Sequence, residues 1–85
     1  MRYAVQFKPS ARKALLKLER PIQRRLIEAA DALADNPRPS LVEKLTGEQN
    51  LWRVRVGDYR IVYEIHDRQL IVLVLRVAHR REVYR

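Results

Sequence analysis

Cysteine is absent from this 85-residue chain, and glycine and histidine occur only twice each. Without cysteine there is no disulfide framework and no thiolate metal site, which fits a cytoplasmic protein. Two isolated glycines cannot form a glycine-rich phosphate loop. His66 and His79 lie far apart in the sequence and have few acidic residues near them. We therefore expect no bound metal and no other cofactor.

Long apolar runs are also missing. No segment approaches the roughly 18 apolar residues that a transmembrane helix needs, and the N-terminus lacks the apolar segment of a signal peptide. A membrane partner is therefore not expected. Hydrophobic residues make up 47% of the chain, which is enough to form a small core. We expect residues 1–85 to form one domain of modest stability.

Basic residues outnumber acidic ones and give a net charge of +8. Residues 1–28 carry eight Lys or Arg against two acids, and residues 53–85 carry eight arginines against four acids. Positive charge in both regions favours a nucleic acid or an acidic protein as the partner. Five basic residues of the N-terminal part are candidate phosphate contacts, or alternatively a solvated helix face: Arg12, Lys13, Lys17, Arg24 and Arg25.

Leu51 to Tyr63 alternates between apolar and polar residues on both sides of Gly57-Asp58. This pattern predicts a β-hairpin with a type II′ turn, because glycine suits the first turn position. The two-residue turn fixes the register, with Val56 opposite Tyr59, Arg55 opposite Arg60, Val54 opposite Ile61 and Arg53 opposite Val62. One face is then apolar, and the other carries three arginines.

The three arginines Arg53, Arg55 and Arg60, here called the arginine cluster, share the face that we expect to be left open. Like charges directly across a ladder lie about 5 Å apart at Cβ and destabilise a sheet. At an effective dielectric of about 20 their repulsion is roughly 3 kcal/mol. A bound polyanion would turn it into attraction, since the guanidinium fork suits phosphate. The alternative is a solvated face, or pairing with Glu64, Glu43 or Asp58.

The rest of the chain predicts a small α+β domain. Tyr3 to Lys8 alternates as a strand, Ser10 suits the N-cap of a helix over Ala11–Leu18, and Pro21 suits N1 of a helix ending near Ala34. Leu41–Leu45 fits a short turn, and Leu70–Val77 a strand buried on both faces. The order β-α-α-β-β-β predicts an antiparallel sheet of about four strands with a helical hairpin packed on one face.

RNA offers a reaction that such residues can assist without a metal, because its own 2′-OH can attack the adjacent phosphate in line. Arginines stabilise the charge of the phosphorane, but they are poor proton-transfer groups. Tyr84 and His79 are the two candidates for proton transfer, against simpler roles as a tail anchor and a surface histidine. Arg38, in the linker, is expected to contribute little.

The sequence resembles the RelE/ParE superfamily of toxins from bacterial toxin–antitoxin modules. The resemblance is carried by Lys44-Leu45-Thr46-Gly47, by the hairpin Leu51–Tyr63 and by the ending His79-Arg80-Arg81-Glu82-Val83-Tyr84, and it covers nearly the whole chain. RelE-like members cleave mRNA in the ribosomal A site without a metal, by 2′-OH attack. ParE-like members share the fold and poison DNA gyrase.

The resemblance implies catalytic positions at Arg53, Arg55, Arg60, Arg80 and Tyr84, with His79 as a further candidate. It extends the phosphate contacts to ribosomal RNA and adds Arg81 to them. Well-known RelE enzymes carry lysines at the positions of Arg53 and Arg55, and arginine keeps the charge but is a weaker proton donor. The expected function is a ribosome-dependent mRNA endonuclease neutralised by an acidic antitoxin. The alternatives are a gyrase inhibitor and a nucleic-acid-binding module without cleavage.

Overall fold

Two helices pack on one face of a five-stranded mixed sheet in the computed structural model, which describes residues 2–40, 42–45 and 50–79. In chain order the elements are β1 (Ala4–Phe7), α1 (Pro9–Leu16), α2 (Arg20–Ala32), β2 (Glu43–Lys44), β3 (Leu51–Val56), β4 (Tyr59–His66) and β5 (Ile71–His79). The strand order is β1-β5-β4-β3-β2, with β1 parallel to β5 and the other neighbours antiparallel. The α+β class is confirmed, but the sheet has a fifth strand and one parallel pairing that the sequence did not predict.

The β3–β4 hairpin has the predicted register, including Arg55 opposite Arg60 and Arg53 opposite Val62. Gly57 has a φ of 61°, while Asp58 keeps a negative φ. A type I′ turn needs positive φ at both central residues, so the turn fits type II′. A Cβ atom at Gly57 would lie 3.2 Å from Nη2 of Arg25, which places the α2 side chain over the turn.

Strand β5 lies inside the sheet between β1 and β4, but the prediction that both its faces are buried is wrong. Val72, Val74 and Val77 on the helix side are buried, whereas Leu73 and Leu75 are half-buried and Arg76 is exposed. The helices cover one face only, so the apolar run alternates in burial despite its uniform composition. β4 is the central strand of the sheet, and its pairing with β5 shifts in register between Val62 and Tyr63.

The core lies between the helices and the helix side of β4 and β5. Its residues from the helices and the α2 C-cap are Ala11, Leu15, Leu26, Ala30 and Leu33, and its strand residues are Ile61, Tyr63, Ile65, Val72, Val74 and Val77. Tyr63 is fully buried and donates a hydrogen bond from its hydroxyl to the carbonyl of Pro37 at 2.7 Å. Burial raises the pKa of this phenol, so Tyr63 stays a neutral donor that ties the linker to the sheet.

Both helices begin earlier than predicted. Lys8 is the N-cap of α1 and Pro9 its first residue, so Ser10 is inside the helix and is not the cap. The residue before a proline is driven to extended backbone, and Lys8 has a ψ of 142°, which sets the boundary there. α2 starts at Arg20, so Pro21 is its second residue rather than its first, and the helix ends at Ala32.

The segment expected to form a turn over Leu41–Leu45 instead contributes the edge strand β2. Glu43 lies opposite Arg53 and Lys44 opposite Trp52, while Leu41 lies outside the described residues. In the described part of the chain, no helix combines the length and the apolar character needed to cross a membrane.

Candidate functional site

The arginine cluster lies on the sheet face away from the helices. Arg53, Arg55 and Arg60 alternate with the core-facing residues of β3 and β4, so the strand period of two places all three on one side. The β4–β5 register puts Arg76 opposite Val62 and therefore adds a fourth arginine to this face. The sequence prediction missed Arg76, because its cross-strand neighbour depends on the irregular register of β5.

The three arginines differ in exposure, and the expectation of an open cluster is wrong for Arg60. Arg55 is exposed, the Arg53 side chain is 13% exposed, and Arg60 is only 6% exposed. A cation at low exposure acts through a lower effective dielectric, so its attraction for a nearby anion is stronger than in water. Arg60 is thus the fixed charge of the cluster, and Arg55 is its accessible member.

Arg53 is paired with Glu43, as one alternative interpretation anticipated. Its Nη2 lies 2.6 Å from Oε2 of Glu43, the residue opposite it on β2. The hydrogen bond from Arg53 lowers the pKa of Glu43, helped by the charges of Arg53 and Arg60. Glu43 is therefore ionised at neutral pH, and it offsets part of the positive charge that the cluster offers to a ligand.

The tail candidates Arg80, Arg81 and Tyr84 lie outside the described residues. His79, the last described residue, pairs with Tyr59 and faces the helix side of the sheet. Its ring meets the Tyr59 ring edge to face, with centroids 5.3 Å apart and planes at 84°. The strand alternation thus directs His79 and Arg60 to opposite sides, so the structure does not bring His79 together with the arginine cluster.

All five basic residues predicted on the helices are exposed. Lys13 of α1 and Lys17, the C-cap residue that follows the helix, line a cleft with Tyr59 and His79, whereas Arg25 lies over the hairpin turn. Arg12 and Arg24 line neither this cleft nor the smaller one beside Arg25. The five predicted phosphate contacts therefore fall into two groups: two lysines that line a cleft, and three arginines on exposed surface outside it.

Arg38 has a structural role that the sequence prediction missed. It makes two hydrogen bonds to Asp67, at 3.2 and 2.9 Å, and its guanidinium carbon lies 5.2 Å from the ring centroid of Trp52. Lys44 approaches the same ring at 5.6 Å. Tyr3 donates to Asp67 at 2.5 Å, so one carboxylate joins the linker to β1. The two hydrogen-bond partners of Asp67 lie 29 and 64 positions from it in the chain, beyond the reach of local patterns.

No group of three or more side chains able to hold a metal occurs among residues 2–40, 42–45 and 50–79. The arginine cluster offers cationic chemistry: a buried arginine, an accessible arginine and an arginine paired with a carboxylate.

Comparison with known proteins assigns the family. The sequence profile of the ParE toxin of type II toxin–antitoxin systems matches residues 5–84. The chain belongs to the RelE/ParE toxin superfamily. It is thus a toxin of the type II toxin–antitoxin class, as its hairpin and tail motifs indicated.

Relatives of this RelE/ParE toxin carry RelE-type names. It is 36% identical over 83 residues to an Escherichia coli protein described as a RelE-like toxin, covering 94% of this chain and 85% of that one. It is 34% identical over 86 residues to toxin RelG of Mycobacterium tuberculosis, covering 100% and 99% of the two chains. The toxin in the RelE–RelB complex of Pyrococcus horikoshii superposes with a TM-score of 0.82 at 33% identity, covering 94% and 97%.

Proposed function

We propose that residues 1–85 form one RelE-type toxin domain, an endoribonuclease that cleaves mRNA in the ribosomal A site. The observation that carries the proposal is the convergence of Arg53, Arg55 and Arg60 on one sheet face, with Arg60 held at 6% exposure. Like charges directly across a ladder repel each other, and a phosphate bound between them would turn this repulsion into attraction. RelE-type relatives of similar length support the same activity.

The reaction is an intramolecular transfer within the RNA. The 2′-oxygen forms a bond to the adjacent phosphorus, and the bond from phosphorus to the 5′-oxygen of the next nucleotide breaks. The products are a 2′,3′-cyclic phosphate and a 5′-hydroxyl. One proton leaves the 2′-OH and one reaches the departing 5′-oxygen, so no water or metal is consumed in this step.

Arg55 and Arg60 are assigned to the extra negative charge that the phosphorane carries. Preorganised cations of this kind stabilise a transition state more than a ground state, because the charge that they meet develops during the reaction. Arg53 serves the same purpose once a phosphate competes with Glu43. Arg80, which follows β5 directly in sequence, is proposed as a fourth cation.

Tyr84 is the proposed proton-transfer group. His79 is the weaker candidate because the sheet register directs it to the helix side, away from the arginine cluster. A general acid or base must come within hydrogen-bond distance of the proton that it moves. His79 would meet this requirement only if the RNA passed around the end of the sheet.

Docking on the ribosome is assigned to basic residues outside the cluster. They are the exposed Arg12, Lys13, Lys17, Arg24 and Arg25 and, from the sequence alone, Arg81. Such contacts to phosphates position a protein without reading sequence. Action on ribosome-bound mRNA places the protein in the cytoplasm. The RelE–RelB complex of Pyrococcus horikoshii supports a partner antitoxin, which we expect to be acidic to match the basic toxin.

A ParE-like inhibitor of DNA gyrase is the second candidate, because the matching family profile is that of the ParE toxin. The two functions differ in whether they need the charge of the arginine cluster. A ribonuclease needs its charge at the reacting phosphate, whereas an inhibitor that binds gyrase needs no reacting group.

Primer extension on an mRNA after toxin expression, run beside a gyrase supercoiling assay, separates the two functions. The test pair is Arg55→Ala and Arg68→Ala, since both arginines are exposed and Arg68 lies at the opposite end of the sheet. We expect Arg55→Ala to lower the single-turnover cleavage rate about 10²–10³-fold, as for loss of one transition-state contact, and Arg68→Ala to leave it unchanged. Equal cleavage by both variants, or a gyrase block without cleavage, would overturn the proposal.

A further inference from the structure

A cleft of about 390 Å³ opens on the helix side of the sheet, between α1 and the ends of β4 and β5. Lys13 and Lys17 line it from the helix, and Tyr59 and His79 from the strands. Ligand pockets usually measure about 300–1,000 Å³, so this cleft has room for one small ligand or for one unit of a polymer. The proposed cleavage reaction assigns no role to Lys13, Lys17 or Tyr59 at the reacting phosphate.

The charge of the cleft selects an anion. Lys13 and Lys17, the C-cap residue of α1, are four residues apart. Because Lys17 keeps a helical backbone, the two side chains lie on one side of the helix. No acidic residue within the described ranges lines the cleft. At the C-terminus of α1, the carbonyls of Ala14 and Leu15 accept from the backbone N–H groups of Lys17 and Leu18, and the carbonyl of Leu16 accepts from Gln23 at 3.3 Å. These terminal carbonyl oxygens therefore already have hydrogen-bond donors.

The two aromatic side chains of the cleft, Tyr59 and His79, favour a ligand that carries a flat ring beside its negative charge. Tyr59 and His79 are both half-buried, and their rings stand at 84° to each other. One ring can lie flat against a base while the other presents its edge to it. Stacking of this kind tolerates any base, because each base has a π-face. Two lysines beside two aromatic rings thus match the phosphate and the base of a nucleotide.

The cleft and the arginine cluster meet at the same end of the sheet. Tyr59 immediately precedes Arg60, and Ala78, the partner of Arg60 on β5, immediately precedes His79. Strand alternation sends Tyr59 and His79 to the helix side and Arg60 to the other side. A single RNA strand that passes around this end can therefore contact both surfaces.

We infer that this cleft binds one nucleotide of the RNA substrate, with its phosphate at Lys13 and Lys17 and its base against Tyr59 and His79. The inference rests on the proposed ribonuclease function, since it places this nucleotide on the same strand as the scissile phosphate. The cleft holds a flanking nucleotide and so positions the strand, while the arginine cluster carries the chemistry. Lys13 and Lys17 are then positioning residues rather than general docking residues.

The experiment is an NMR titration of the full-length toxin, recorded on the aromatic resonances of tyrosine and histidine. Three probes are compared: orthophosphate, adenosine 5′-monophosphate, and a trinucleotide with 2′-O-methyl groups that prevent cleavage. We expect the trinucleotide to bind most tightly and to shift Tyr59 and His79. The mononucleotide should shift the same resonances more weakly, and orthophosphate should leave the rings unchanged.

A matched pair of double variants tests the lysines. Lys13→Gln/Lys17→Gln removes the charge of the cleft, and Lys8→Gln/Arg20→Gln removes the same charge from exposed positions outside it. We expect the first variant to lose about tenfold in trinucleotide affinity. Its plot of log affinity against log salt should flatten by about 0.7, the value for one single-stranded phosphate contact. The second variant should retain the wild-type slope.

Equal loss of affinity in both double variants would overturn the inference, because the lysines would then act through net charge alone. Equal binding of the mononucleotide and the trinucleotide would also overturn it, since the cleft would be a site for a free nucleotide. Shifts of the Tyr59 and His79 ring resonances with orthophosphate would overturn the contact assigned to the base, because orthophosphate has no base. Binding is read without cleavage, so a catalytically inactive toxin that still shows the expected shifts would contradict the proposed function and leave the cleft assignment intact.

Discussion

The ion pair between Glu43 and Arg53 competes with any phosphate that approaches the arginine cluster. Because Arg53 holds the pKa of Glu43 below its usual range, the carboxylate is charged under physiological conditions. Glu43→Gln leaves the shape similar and removes the negative charge that competes with phosphate at Arg53. We expect about a twofold to fivefold gain in affinity for a 2′-O-methyl RNA, measured by fluorescence anisotropy. Glu28→Gln, an equal charge change on an exposed helix position, should show a smaller gain.

Asp67 gives the fold a dependence on acidity. Hydrogen bonds from Arg38 and Tyr3 lower the pKa of Asp67 to about 2, from 3.8 for an unperturbed carboxyl group. A depressed pKa contributes stability that is complete above about pH 4 and is lost as the pH falls toward about 2. Asp67→Asn should therefore lower the urea midpoint at pH 5 and differ less from the wild type at pH 2.

Asp58→Asn is the control for this measurement, since Asp58 is an exposed aspartate at the other end of β4. A difference between wild type and Asp67→Asn that stays constant from pH 5 to pH 2 would contradict the electrostatic explanation. The sequence analysis expected Arg38 to contribute little. It is nevertheless not a suitable control, because it donates hydrogen bonds to Asp67 and approaches the Trp52 ring.

At the scale of elements, the β3–β4 hairpin depends on the backbone of Gly57. A φ of 61° costs a residue with a Cβ atom about 1–2 kcal/mol, and the new atom would also press on Arg25. Gly57→Ala should lower the melting temperature by roughly 4–8 °C for each kcal/mol lost, measured by circular dichroism. Asp58→Ala, with an ordinary negative φ, should change it little. Similar melting temperatures for the two variants would show that the turn tolerates a side chain.

Local patterns in the sequence were sufficient for this hairpin and for the position of the arginine cluster. Period-two alternation and a Gly-Asp turn specify strand, register and face together. They were insufficient for β2, because a two-residue strand has no period. They also could not supply the parallel pairing of Ala4 with Ile71, which depends on distant residues.

The same limit explains what was missed in the site. Arg76 joins the arginine face through the β4–β5 register, and the cleft combines α1 with the ends of two strands. Neither grouping leaves a spacing that can be recognised in the chain. The half-burial of Leu73 and Leu75 was missed because an apolar run does not reveal that helices cover one face only.

At the scale of the whole molecule, the basic toxin is expected to be neutralised by an acidic segment that folds on the sheet. Such a segment gains electrostatically steered association and apolar contacts at the same time. Amide hydrogen exchange of the free and bound toxin should show new protection along 70–77 or 53–60, and a change at 83–85. Under the proton-transfer role proposed for Tyr84, displacing this residue by about 1 Å would slow in-line attack about 10²-fold.

Protection confined to the outer face of α2 would instead mean that the antitoxin blocks ribosome docking. A useful control is a charge-matched acidic peptide of scrambled sequence, which retains the net attraction but has no fitted contacts. If the scrambled peptide protects the amides as strongly as the antitoxin does, the antitoxin binds through net charge alone.

The two edge strands of the sheet are short. β1 has four residues, and β2 has two, Glu43 and Lys44, which are both charged. Long, flat edges invite copies of a chain to join edge to edge, and short or charged edges discourage this. A toxin released from its antitoxin must remain dispersed in a crowded cell until it finds its target. We therefore expect the brevity of β1 and β2 to limit edge-to-edge association of the freed molecule, and it offers an incoming strand few backbone hydrogen bonds at either edge.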